Sequence, residues 1–286
     1  MPHTLSKYGY YSSSFQSLER EMQMSTQVIT IGAAKGGVGK TTITFNTAGF
    51  LNKIGKSVLL MDGDYQGSLS SIYGKFDKSI DGTMYSIFDP HDGPVKIRKI
   101  TDKLSIIPAS KDLERVDIIT SNRPNQYFIL YEWISNNMDI VGEFDYVLID
   151  THPQFLTMEK NAAVISDYLI QPLGPGRFDF NNAIVDYTER FNEFKKQLVD
   201  VKTGESYVDA QLLYLGNRAK TNTTSSHEFD ESLKEIPDVI DLMHEREPMN
   251  QSILLGKSVF EMDDLPNTAM AEFERVFSNI VSKVEE

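Results

Sequence analysis

The chain has 286 residues, 40% apolar and 24% charged, the proportions of a globular protein long enough for one large α/β domain or two small ones. It has no cysteine, which excludes disulfides and cysteine-held clusters, and no apolar run approaches the roughly 18 residues of a membrane span. A formal net charge of −13 argues against non-specific nucleic-acid binding by a single copy, while leaving room for a local basic patch.

Residues 1–26 read as an N-terminal arm, polar and aromatic, with Tyr8, Tyr10, Tyr11 and Ser12-Ser13-Ser14. Segment 14–24 can form a short helix, and the first 25 residues lack the apolar core of a signal peptide, so the expected location is cytoplasmic. From residue 27 to 286 the chain reads as a single domain. An apolar run over 27–31 enters the stretch Gly32-Ala33-Ala34-Lys35-Gly36-Gly37-Val38-Gly39-Lys40-Thr41-Thr42, and apolar residues at helical spacing leave it over 43–54. A glycine-rich turn between strand and helix lets successive N–H groups point inward as an anion cradle. In such a phosphate loop Gly36, Gly37, Val38, Gly39, Lys40, Thr41 and Thr42 bind nucleotide. Lys40 supplies charge to the β/γ-phosphates and the Thr41 hydroxyl is placed to ligate Mg²⁺.

Lys35 lies five residues before Lys40, and Lys-Gly-Gly-Val-Gly-Lys-Thr-Thr resembles the deviant Walker A box of the ParA/MinD family of dimeric ATPases. The resemblance implies that Lys35 reaches the nucleotide of a partner subunit across an ATP sandwich dimer. The absence of cysteine removes one relative, the nitrogenase iron protein. The tyrosine-rich arm also invites comparison with bacterial tyrosine kinases on this fold, whose cluster is typically C-terminal.

Residues 57–62 read as a buried parallel strand ending in Asp62-Gly63-Asp64-Tyr65-Gln66-Gly67-Ser68. This is similar to the family's D-x-D-P-Q-G segment, with Tyr65 in place of the proline. It implies that Asp64 positions or activates water and that Asp62 supports the metal. Residues 81–100 read as irregular, 104–108 as a strand, and 125–138 as a helix whose aromatic stripe, Trp133 included, belongs to the core. The run 144–150 is an apolar strand ending in Asp150, a Walker B pattern that delivers a carboxylate to the metal opposite Thr41. Thr151-His152-Pro153 follows where the family has small residues and two prolines. His152 is read as a switch-loop residue near the phosphates, with a general base as the alternative.

A strand over 167–173 and a helix over 178–199 come next, the latter at the dimer interface by resemblance. A strand over 211–215 ends near Asn217, which resembles the family's adenine reader, although strand-end asparagines also serve turns. An acidic helix after Ser226, a strand over 238–243 and a closing segment over 251–263, with Gly256-Lys257-Ser258-Val259-Phe260-Glu261, complete the likeness. Arg218, Lys220, Arg246 and Lys257 are the matching DNA-binding candidates. The final helix, 267–284, has an apolar face and a mixed polar face, so it is expected to dock on the sheet and not on a membrane.

The expected fold is therefore α/β, a doubly wound, mostly parallel sheet flanked by helices, of the deviant Walker A P-loop class. The resemblance, closest to small plasmid-partition ParA proteins of the delta type, implies a Mg²⁺-dependent ATPase. It would dimerise on ATP, bind DNA without sequence preference and associate with the nucleoid, and hydrolyse ATP when stimulated by a ParB-type centromere-binding protein. The alternative is a MinD-like ATPase that positions a protein or membrane-associated cargo.

Overall fold

The structure, a computed structural model, describes residues 26–76, 80–175, 177–220 and 223–286, with backbone only over 177–183. The arm and the helix expected over 14–24 lie outside the described residues, save Thr26. The described residues form eight strands: β1 (Gln27–Ile31), β2 (Val58–Gly63), β3 (Arg98–Lys99), β4 (Leu104–Ile107), β5 (Tyr146–Thr151), β6 (Tyr168–Leu173), β7 (Gln211–Ala219) and β8 (Val239–His244). They make one sheet in the order β3-β4-β2-β5-β1-β6-β7-β8, parallel throughout except for the two-residue β3 at one edge. The chain winds outward from β1 in both directions, so a crevice opens at the C-terminal ends of the central strands, where such sheets bind ligands.

Strands covered on both faces are nearly continuous apolar runs whose alternate residues serve opposite layers. Val28, Leu59, Met61, Val147 and Ile149 face one layer, formed by α3 (Met84–Phe88), α4 (Val116–Thr120), α5 (Ile129–Ser135), α7 (Thr157–Ile165) and α8 (Arg177–Gln197). Ile29, Ile31, Val58, Leu60 and Leu148 face the other, formed mainly by α1 (Lys40–Lys53), α10 (Glu247–Leu255) and α11 (Asn267–Val284). Burying each such Leu or Ile contributes about 1.5–3 kcal/mol. Of the remaining described helices, α2 (Ser68–Ile72) adds Leu69 to the second layer and α6 (Met138–Val141) adds Val141 to the first, while α9 (Thr224–Lys234) packs Phe229 and Leu233 against Leu173 and Tyr214.

The final helix docks as expected, with Phe273, Val276, Phe277, Ile280 and Val284 buried. Among the described residues no helix is long and apolar enough to cross a membrane. Three expectations need correction. Residues 81–100 hold the buried helix α3, capped by Thr83, whose five residues are too few to display a period. The helix expected over 125–138 begins only at Ile129 and stops at Ser135, where the Asn137 side chain donates to the Trp133 carbonyl (2.7 Å) and closes its last turn. Strand β7 continues to Ala219, so Asn217 and Arg218 belong to the strand and not to the loop after it.

Candidate nucleotide site

β1 delivers the chain to Gly32, and the loop 32–39 runs into α1, whose first residue is Lys40. Gly39 caps the helix at φ 96°, in the left-handed region, and a Cβ there would lie 2.5 Å from the Asn217 amide nitrogen. Backbone sign and close approach both require glycine. Lys40 is only 8% exposed, so its ammonium is held inward under the loop. Its charge pulls against the desolvation that raises the pKa of Asp150 and of Glu159. Lys35, within the loop, is half-buried.

Register places Asp62 on β2 directly beside Asp150 on β5, and both carboxylates are wholly buried. Thr41 Oγ1 donates to Asp150 Oδ2 at 2.6 Å, while Asp150 Oδ1 has no hydrogen-bond partner. Burial, then the neighbouring Asp62 charge, raises the Asp150 pKa well above the carboxylate range. Asp62 accepts from Ser70 N (2.7 Å), Ser70 Oγ (2.6 Å) and Asp64 N (3.3 Å), yet burial still pushes it up to about 7. Two adjacent desolvated carboxylates, one with an orphaned oxygen beside a threonine hydroxyl, form a hard-oxygen set that fits Mg²⁺. Among the described residues no three or more His, Asp or Glu side chains gather into a metal cage. Mg²⁺ needs none, since it commonly takes one or two carboxylates and completes its shell with phosphate oxygens and water.

Asp64 stands just past β2 in a tight turn, 7% exposed, with its Oδ1 accepting from Gln66 N at 2.9 Å and its carbonyl from Gly67 N at 2.8 Å. Tyr65 and His152, the two residues that replace prolines of the family pattern, stack on one another with ring centroids 4.5 Å apart and planes 28° apart. The stack joins the loop after β2 to the loop after β5. Burial lowers the His152 pKa, opposed by the Asp64 charge and assisted by that of Lys40, so the neutral imidazole is favoured. A cavity of about 230 Å³ opens beside it, with Glu114, Asp117 and Glu159 in its wall.

On the other flank, Asn217 Nδ2 donates to the Val38 carbonyl (2.7 Å) and its Oδ1 accepts from Arg218 N (2.9 Å). Arg218 has φ 61°, rare for a residue with a side chain, at the register shift between β7 and β8. Its guanidinium donates to the Gly37 carbonyl. A small cavity of about 20 Å³ lies here, walled by Gly39, Thr42, Asn217, Arg218, His244 and Arg246 among others.

The profile of the AAA_31 family, an AAA domain, matches residues 26–201. The chain belongs to this family. The chromosome partitioning protein ParA of Myxococcus xanthus is 32% identical over 158 residues, 54% of this chain and 54% of its own length. The sporulation initiation inhibitor protein Soj of Bacillus subtilis is 32% identical over 152 residues, 51% of this chain and 58% of its own. The chain thus spans about half the length of these curated relatives. A Borrelia burgdorferi B31 plasmid partition protein bound to AMPPNP superposes with a TM-score of 0.70 at 25% identity, over 91% of this chain and 99% of that one. These likenesses identify a ParA-family P-loop protein, and the AAA_31 match ends before β7, leaving the Asn217 flank outside it.

In this AAA_31 chain the fold brings the loop, Thr41, Asp62, Asp64 and Asp150 to one sheet edge, as the sequence predicts. The four basic candidates are less alike. Arg246 is tied to Glu272 (2.8 Å), a residue that also accepts from His244 N (2.8 Å), and Arg218 leans on the loop. Lys220 and Lys257 are exposed. Three contributors escape sequence reasoning. Ser70 anchors Asp62, Glu159 lies buried behind the loop, and Asn46 of α1 accepts from Val259 N (2.8 Å) and donates to Ser252 Oγ (3.0 Å). Only Asn46 leaves a trace, a polar side chain in an otherwise apolar helical stripe.

Proposed function

We propose that this chain is a Mg²⁺-dependent partition ATPase. The observation that carries the reading is the Thr41–Asp150 contact with its orphaned carboxylate oxygen, at the mouth of a phosphate loop. When bound, Mg²⁺ would neutralise the buried carboxylates and offset the negative charge of the reacting phosphates. Thr41 and Asp150 would hold it, Asp62 would support it through the adjoining strand, and Lys40 would bind phosphate oxygens from within. Asp64 would orient the attacking water, its carboxylate fixed by the turn that Gln66 N closes. Lys35 would act on the nucleotide of a second copy, and Asn217 would steady the loop or read the base.

The named relatives support a role in partition, and the family resemblance implies the larger cycle: dimerisation on ATP, sequence-independent DNA binding with nucleoid association, and release when a ParB-type partner stimulates hydrolysis. DNA binding measured against nucleotide state tests it. We expect affinity with Mg²⁺-ATP and none with ADP, with log K falling against log salt by about 0.9 per phosphate neutralised. Hydrolysis without any DNA affinity at low salt would instead support a cargo-positioning ATPase of MinD type.

A further inference from the structure

Glu159 on α7 is 1% exposed and belongs to neither the metal nor the phosphate set described above. Its Oε1 accepts from the hydroxyl of Tyr187, a fully buried residue of α8. The pair fills the space against Gly32, the first residue of the loop, so closely that a Cβ on Gly32 would overlap both Glu159 Oε1 and the Tyr187 oxygen. On its other side Tyr187 takes the edge of Phe155, in the loop after Asp150, with ring centroids 5.6 Å apart. Next in α8, Thr188 shares a hydrogen bond of 2.7 Å with Tyr214 on β7, three residues before Asn217. One helix is thereby joined to the start of the phosphate loop, to the loop behind the metal carboxylate and to the strand that carries Asn217.

We propose that Glu159 and Tyr187 are a positioning pair, setting the phosphate loop from behind and coupling α8 to the nucleotide site. A buried hydrogen bond between two rigidly packed side chains, seated on a loop residue that lacks a Cβ, leaves the loop a single resting position. Movement of α8 then changes the space available to Gly32. The inference rests on the nucleotide reading above for its consequence, though not for its geometry.

The test combines Tyr187→Phe, Glu159→Gln, Glu159→Ala and Gly32→Ala, with three readouts. In nucleotide-free protein, hydrogen exchange of the amides of residues 32–40 should quicken about fivefold in Tyr187→Phe, the worth of one net hydrogen bond, while exchange in α11 stays unchanged. With a fluorescent ADP analogue, Tyr187→Phe should raise the Kd by a similar factor, and in turnover KM should rise more than kcat falls. Glu159→Gln, which keeps an acceptor for Tyr187, should retain more of the affinity than Glu159→Ala. Gly32→Ala should weaken ADP binding by a further large factor in the wild-type background. It should cost much less when combined with Glu159→Ala and Tyr187→Phe, because the overlapping atoms are gone. If Gly32→Ala does not fold, the exchange and binding results for Tyr187→Phe decide alone. Unchanged loop exchange in Tyr187→Phe overturns the proposal. Failure of the wild-type protein to bind the ADP analogue would defeat the nucleotide reading, and loop exchange would then decide for or against the pair by itself.

Discussion

The two flanks of the phosphate loop are built on opposite principles. On the β2–β5 flank, Asp62, Asp150 and Glu159 are all but sealed from water, and each is held above its ordinary pKa by burial. On the β7–β8 flank the charged groups are largely exposed or half-exposed, and β8 itself is only partly covered. The first flank stores unfavourable charge that a cation would relieve. The second carries no such tension and grips the loop with polar contacts from Asn217 and Arg218 that can be remade at little cost. One side is therefore fitted to metal and phosphate, the other to a ligand edge that varies.

The contrast can be broken most forcefully at Lys40. We expect Lys40→Ala to abolish measurable ADP and ATP binding in calorimetry, a loss of about 2–5 kcal/mol, since the inward cation disappears and the carboxylates remain. Next, Asp150→Asn should eliminate Mg²⁺-dependent turnover, yet raise the melting temperature of the nucleotide-free protein, because a desolvated charge is replaced by a neutral isostere. A lower melting temperature would mean that the carboxylate flank is not under tension. On the opposite flank, Asn217→Ala should weaken nucleotide binding about fivefold, the worth of one net hydrogen bond, with the Mg²⁺ requirement intact. Lys220→Glu with Lys257→Glu should flatten the salt dependence of DNA binding while leaving basal hydrolysis unchanged.

The smallest effect sharpens the comparison through pH. Glu159 has a folded pKa of about 7 against an ordinary value of 4.5, so the folded protein holds its proton more tightly than the unfolded chain. Stability from this group is fully present below about pH 4.5, falls as pH rises, and is lost above about 7. The Thr151 and Tyr187 hydroxyls and the Lys40 charge face the carboxylate and limit the loss. Glu159→Gln should accordingly gain more in melting temperature, relative to wild type, at pH 8 than at pH 5. An equal difference at both values would remove Glu159 from the strained set.

What the sequence disclosed follows a physical divide. β1, the loop, β2 and β5 are local patterns, an apolar run ending in glycine or aspartate, and their residues meet as expected because parallel register brings strand ends together. α3 was hidden by its shortness, and the early stop at Ser135 by a side-chain hydrogen bond that no periodicity reports. Glu159 was invisible because a glutamate in a helix ordinarily faces water, and only packing shows Gly32 and Tyr187 closing over it. Arg246 looked like Lys257 in sequence, and the difference arises from Glu272, 26 residues away.

Asn46 has one more consequence. The helix that follows the phosphate loop is pinned at its middle by Ser252 and Val259, 206 and 213 residues further along the chain. During synthesis the loop motif leaves the ribosome some 206 residues ahead of the segment that seats its helix. Contacts of such long sequence separation form slowly, since the intervening chain must first be closed. A nascent chain ending before residue 252 would carry every phosphate-binding residue and still lack the clasp on α1, so competence for nucleotide would wait for that segment. Ribosome-stalled chains of increasing length, probed with a fluorescent nucleotide, would show binding switch on after residue 259 has cleared the exit tunnel.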